Sequence, residues 1–125
     1  MTLKGGRQNK RLKAEKLGRR AESYAALLLM LKGYRILNKR FKCKAGEIDI
    51  IAKKGNLHVF VEVKARQSIA AAKESVTLKQ RKRIESAAKI WAAQHRHDSL
   101  IRFDVIVIGK SAWPHHIKEA WRPHA

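Results

Sequence analysis

Two β-branched runs, Gly46-Glu47-Ile48-Asp49-Ile50-Ile51 and Val59-Phe60-Val61-Glu62-Val63-Lys64, flank the tetrapeptide Lys54-Gly55-Asn56-Leu57. Gly-Asn between two strand-like runs is the sequence signature of a two-residue β-hairpin. With Gly55-Asn56 as the turn, residues whose numbers sum to 111 face each other, which sets Asp49 opposite Glu62 and Glu47 opposite Lys64. Directly opposed residues have Cβ atoms roughly 4.5–5.5 Å apart, and like charges there destabilise a sheet. The chain has a formal charge of +19 and only ten carboxylates, yet two of them are set face to face. A divalent cation between them would remove the conflict.

The competing reading is a solvated charge ladder with no chemistry, in which Lys64 neutralises its neighbours. Two features weigh against it. Ile48, Ile50, Val59, Val61 and Val63 make the opposite face strongly apolar, and Ile51 and Phe60 share the charged face. A part-buried acid pair needs a counter-charge.

At 125 residues, with 45% apolar side chains, the chain is long enough for one domain with a real core. Lys and Arg total 29, and such an excess implies a polyanionic partner, nucleic acid before an anionic membrane, because self-repulsion otherwise works against the fold. The basic residues are spread out and do not form one long cationic amphipathic helix. Cys43 is the only cysteine, which excludes an internal disulfide and a cysteine zinc site. No signal-peptide core follows the basic N-terminus, and the apolar run Ala25 to Leu31 is too short to span a bilayer. A cytoplasmic protein with no membrane partner is expected.

Residues 1–12, with Lys4, Arg7, Lys10 and Arg11, read as a flexible basic N-terminal arm, and residues 13–125 as a single domain. A helix is predicted from about Lys13 to Lys32, closed by Gly33, with Leu17, Ala21, Tyr24, Leu28 and Leu31 as its core stripe. Glu22 falls on the shoulder of that stripe beside Gly18, Ala25 and Leu29, with Arg19 available as an ion-pair partner. Strands are predicted from Tyr34 to Phe41, Glu47 to Ala52 and His58 to Arg66, as an antiparallel meander, and the polar, alanine-rich Gln67 to Ser75 reads as a loop. Thr77-Leu78-Lys79-Gln80 is a capping-box pattern opening a second helix to about His95, with Gln80, Ile84, Ala87, Ala88 and Trp91 on one face. Gln80 is therefore either a reciprocal cap or a ligand-binding group. Lys79, Arg81, Lys82 and Arg83 crowd the same end against the helix dipole, and a docked phosphate backbone would relieve them. Leu100 to Ile108 reads as a buried strand and His116 to Trp121 as a short last one, with the adjacent His115 and His116 read as surface or edge-strand histidines.

Phosphodiester hydrolysis needs charge neutralisation at the phosphate and a nucleophile made from water. Mg²⁺ takes oxygen ligands and retains waters, so one or two carboxylates suffice to hold it. Asp49 and Glu62 suit that role, with the backbone carbonyl of Val63 as a third oxygen. Lys64 lies two residues beyond Glu62 on the same strand face, where its ammonium can orient water or stabilise developing charge. Glu22 would support the metal through a water or bind a second ion.

The order of a helix glutamate, Gly46-Glu47-Ile48-Asp49, Phe60-Val61-Glu62-Val63-Lys64-Ala65-Arg66 and a helix with a polar first turn resembles the PD-(D/E)xK nuclease superfamily. More narrowly it is similar to the YraN-like family of endonuclease-like proteins, from about Gly18 to Trp121, including Gly33-Tyr34, Val76-Thr77 and Arg102-Phe103-Asp104. The resemblance implies a restriction endonuclease-like α/β core, a mixed sheet of about five strands flanked by helices. It implies metal binding by Asp49 and Glu62, catalysis by Lys64, and support from Glu22 and Gln80, with Mg²⁺ or Mn²⁺ as cofactor. Many relatives carry a glycine after the Glu-x-Lys strand, where this chain reads Ser68-Ile69-Ala70-Ala71-Ala72-Lys73.

The leading expectation is a metal-dependent endonuclease acting on DNA, branched or structured forms included, with Lys79, Arg81, Lys82, Arg83, Gln80 and Arg66 as nucleic-acid contacts. The alternative is a non-catalytic DNA- or RNA-binding module on the same fold, and a third reading is an RNA- or ribosome-associated structural protein. Junction-cleaving members of the superfamily tend to act as dimers, so a homodimer stays open here.

Overall fold

The computed structural model describes residues 3–95, 100–109 and 113–123. Along the chain run α1 (Leu3–Leu31), β1 (Arg35–Cys43), β2 (Gly46–Lys54), β3 (Leu57–Ala65), α2 (Ile69–Ser75), α3 (Leu78–His95), β4 (Leu100–Ile108) and β5 (His115–Trp121). The strands form one mixed sheet in the order β1-β2-β3-β4-β5. The first three pair antiparallel, β3 and β4 are parallel, and β5 returns antiparallel. A parallel pair needs a long crossover, and α2 and α3 supply it.

The predicted hairpin forms in the predicted register. Lys54 pairs with Leu57, Lys53 with His58 and Ile51 with Phe60, and Gly55 takes the left-handed φ of +58° that the turn requires. Helices cover both faces of the sheet. On one face α2 and α3 bury Ile51, Phe60, Phe103 and Val105 with Ile84, Ala87, Ala88 and Trp91. The Phe60 and Phe103 rings stack at 5.7 Å, and Phe103 stacks on Trp121 at 5.1 Å. On the other face, α1 packs Ala25, Ala26 and Leu29 on Ile50, Val59, Val61 and Ile106. Each large side chain so buried contributes about 2 kcal/mol.

Three expectations are corrected. The first helix starts at Leu3 rather than Lys13, so most of the segment read as an arm is continuous with α1; residues 1–2 lie outside the described residues. Of the predicted stripe Ala21 is buried and Leu28 half-buried, but Leu17, Tyr24 and Leu31 are 58%, 56% and 72% exposed, and Ala25, Ala26 and Leu29 complete the buried face instead. Small residues let the helix approach the sheet closely, and the bulkier stripe turns outward. The segment Gln67 to Ser75 is no loop for most of its length. Ser68 caps α2 by accepting a bond from the Ala71 amide at 3.0 Å, and Ala72 is fully buried.

A second polar centre closes the β4–β5 end. The fully buried Asp104 accepts both Nε and Nη2 of Arg102 at 2.7 Å, His116 Nε2 at 2.6 Å and the Glu119 amide at 2.9 Å. Lys32 lies 2.7 Å from the other ring nitrogen of His116. His116 thus stands on an edge strand, as expected, but its side chain is turned inward and only 3% exposed.

Candidate active site

The β2–β3 ladder ends at Ile50 and Val61, one pair short of the acids. There the Asp49 carboxylate takes over from the backbone: its Oδ2 accepts the Val63 amide at 2.8 Å. The strands part at this point, and the bond pins Asp49 beside β3. Glu62 is 7% exposed, with the Lys64 ammonium 3.9 Å from its Oε1. Lys64 in turn donates to Gln80 Oε1 at 3.3 Å. Gln80 can reach it because Thr77 caps α3, its Oγ1 accepting the Gln80 amide at 3.2 Å, which aims the first turn at β3. The side chain of Gln80 thus serves Lys64 and not the reciprocal cap.

Burial, and then the hydrogen bond and charge of Asp49, push Glu62 up to about 9, against the opposing pull of Lys64. Two adjacent carboxyls, one of them buried, cannot both ionise cheaply. Such a site either retains a proton or takes a cation. Among the described residues no three of His, Cys, Asp and Glu cluster as a metal-binding group. The donor set is two carboxylates, which fits a hard oxygen-seeking ion that retains waters and does not fit zinc.

Beside the acids, Lys42, Gly46, Glu47, Gln80 and Arg83 line a groove of about 380 Å³. Gly46 makes it possible for α3 to sit this close, since a Cβ there would lie 3.2 Å from the Arg83 Cβ. Lys79, Lys82 and Arg83 are exposed, as is Arg66, which donates to its neighbour's carbonyl at Ala65. Arg81 differs from them. Its Nε donates to the Val76 carbonyl at 3.1 Å and its guanidinium lies over the Trp121 ring, so it holds the α2–α3 corner together.

The model of the uncharacterised protein family UPF0102 matches residues 21–108. A UPF0102 protein of Parvibaculum lavamentivorans is 46% identical over 114 residues, covering 90% of this chain and 86% of its own. Others from Bartonella bacilliformis and Bartonella henselae are 49% and 48% identical over 109 and 118 residues, covering 86% and 93% of this chain and 89% and 90% of theirs. The chain belongs to the UPF0102 family. This is the YraN-like group its motifs resemble, a restriction-endonuclease-like fold group, and the five-stranded mixed sheet agrees with it.

In this UPF0102 chain, one expected partner stands elsewhere and one was not foreseen. Glu47 was expected opposite Lys64, but beyond the end of the β2–β3 ladder it pairs across β1 with Lys42, at 3.9 Å. Glu22 is partly buried and accepts Arg40 Nε at 2.6 Å, so it has a partner on β1 that the sequence reading did not name. Arg40 itself went unread in the sequence. In the β1–β2 register it falls across from Asp49, between the Lys39–Ile50 and Phe41–Ile48 pairs, with a left-handed φ of +55°. Its signal was the second hairpin, Cys43-Lys44-Ala45-Gly46, whose register places an arginine against the acid. Glu22, Arg40 and Asp49 therefore follow one another from helix to β1 to β2.

Proposed function

We propose that this protein is a metal-dependent endonuclease that hydrolyses phosphodiester bonds in DNA, structured or branched forms included. The observation that carries the reading is the buried Glu62 beside the part-buried Asp49 and Lys64, at the point where the hairpin ladder parts. Asp49 and Glu62 are the residues that would hold Mg²⁺ or Mn²⁺, with the Val63 carbonyl as a further oxygen. When bound, the ion supplies charge neutralisation at the phosphate and lowers the pKa of water. The protein's own groups do the rest. The Val63 amide fixes one carboxylate oxygen of Asp49 and so holds the carboxylate beside Glu62. Gln80 and Glu62 hold the Lys64 ammonium from two sides, so it meets developing phosphate charge without reorganising, the condition under which electrostatic stabilisation is most effective. Arg83, Lys79, Lys82 and Arg66 would dock the phosphate backbone around the groove, and Arg40 would relay Glu22 to the acid centre.

One observation favours the non-catalytic alternative: Glu22 is engaged by Arg40, and among the described residues no third acid joins the Asp49–Glu62 pair. Cleavage of duplex, single-stranded, flapped and four-way-junction DNAs with Mg²⁺ or Mn²⁺ separates the two, with Lys64→Ala purified in parallel. Cleavage that falls at least 100-fold in Lys64→Ala supports the nuclease. Binding without cleavage, or equal cleavage by both proteins, makes the protein a binding module.

A further inference from the structure

At the turn end of the sheet, Arg35, Lys53 and His58 form one row across β1, β2 and β3, each opposite the next. Opposed like charges destabilise a sheet, and among the described residues no carboxylate pairs with Arg35 or Lys53. The row borders a cavity of about 380 Å³ whose other walls include Asn38, Trp91 and His95. The His95 ring stacks on Trp91 with centroids 4.1 Å apart and planes 18° from parallel. Trp91 is buried and His95 exposed, which leaves the outer face of the imidazole for another planar group. The indole N–H of Trp91 donates to Asn38 Oδ1 at 2.9 Å. Since an indole N–H can only donate, this fixes the Asn38 carboxamide and leaves its Nδ2 hydrogens as donors.

Paired cations, an open aromatic face and a fixed amide donor match the phosphate, base plane and base edge of a nucleotide. The volume lies within the range of small-ligand sites. We propose that this cavity takes one unpaired nucleotide of a single-stranded DNA, its phosphate on Arg35 and Lys53 and its base on His95 and Asn38. The inference rests on the nucleic-acid reading above and narrows it. Four residues of strand separate Lys53 from Asp49 and His58 from Glu62, about 13 Å, a span of a few nucleotides. Bases inside a duplex are already stacked and cannot use the His95 face, so the favoured substrate has an unpaired stretch near the bond to be cut.

The test is fluorescence anisotropy with the full chain in EDTA, which prevents turnover, comparing labelled dA12 with its dA12–dT12 duplex. Arg35→Ala/Lys53→Ala and His95→Ala should each weaken dA12 binding by about fivefold or more, the size of one base-stacking contact, and duplex binding by less than twofold. His95→Phe should retain dA12 affinity, because phenylalanine stacks but cannot reproduce the His95 Nδ1 contact with the Trp91 carbonyl. Equal losses on both DNAs, no loss on either, or His95→Phe as weak as His95→Ala overturns the proposal. Binding of AMP as tight as that of dA12 would make the cavity a free-nucleotide site and overturn the strand reading. If the wild-type chain binds neither DNA, the nucleic-acid reading itself fails; if it binds and the variants match it, only this cavity's role does.

Discussion

Glu62 and Asp104 are both buried acids on central strands, and their partners send them in opposite directions. Glu62 faces another carboxyl and is pushed up to about 9. Burial alone would raise Asp104 too, but His116, Arg102 and the Glu119 amide outweigh it and hold the carboxyl below its usual range. An acid with a depressed folded pKa contributes stability above its unfolded value of 3.8 and loses it as pH falls below that. Asp104→Asn should therefore cost about 3 kcal/mol at pH 7, because it leaves Arg102 without its counter-charge. The gap to the parent protein should narrow as pH drops below 3.8. Urea melts of both proteins at pH 7 and pH 3 check this, and a constant gap would refute it. Arg40 carries a second residue-scale expectation. Its left-handed φ of +55° costs about 1 kcal/mol for any side chain except glycine. Both Arg40→Gly and Arg40→Ala lose the Glu22 bond, but the glycine variant should be about 1 kcal/mol the more stable by chemical denaturation.

At the scale of elements, α3 matters through where its first turn points. Thr77 caps it, Gly46 lets it approach β2, and Gln80 then meets Lys64. Gly46→Val should cost about 1–3 kcal/mol, since the new side chain must displace Arg83 and its backbone. Thermal melts measure the cost, and an unchanged Tm would show that α3 yields freely. The cap, the hairpin turn and the strands on either side were legible in the sequence because each depends on residues close in the chain. The face of α1 was not. Leu17, Tyr24 and Leu31 of the predicted stripe are exposed, while beside the correctly placed Ala21 it is Ala25, Ala26 and Leu29 that are buried. Periodicity finds the most apolar stripe, whereas close packing on a sheet selects the smallest one. For α2 the signal was present and misweighted: an alanine run behind Ser68 is a good helix with a good cap.

For the whole molecule, a charge of +19 on 125 residues makes any nucleic-acid binding strongly dependent on salt. If about six phosphates are contacted, affinity should fall about 10³-fold between 50 and 200 mM salt. A flat salt response in the anisotropy assay would rule out phosphate docking as the main source of affinity. Among the described residues no helix is long and apolar enough to cross a membrane.

What the sequence determined by itself was local in origin: the Gly55-Asn56 turn, the β2–β3 register from Lys54–Leu57 to Ile50–Val61, the spacing that brings Lys64 close to Glu62, and the cap that begins α3. Turn chemistry and the two-residue period of a strand settle these before the rest of the chain folds. Tertiary structure decided what happens to those groups. The parting of β2 from β3, the burial that raises Glu62, the reach of Gln80 to Lys64 and the link from Glu22 to Arg40 all join elements distant in the chain. So does the row of Arg35, Lys53 and His58 under Trp91. Their placement depends on how closely helices pack on a sheet, a balance of volume and charge over the whole fold that no local pattern encodes.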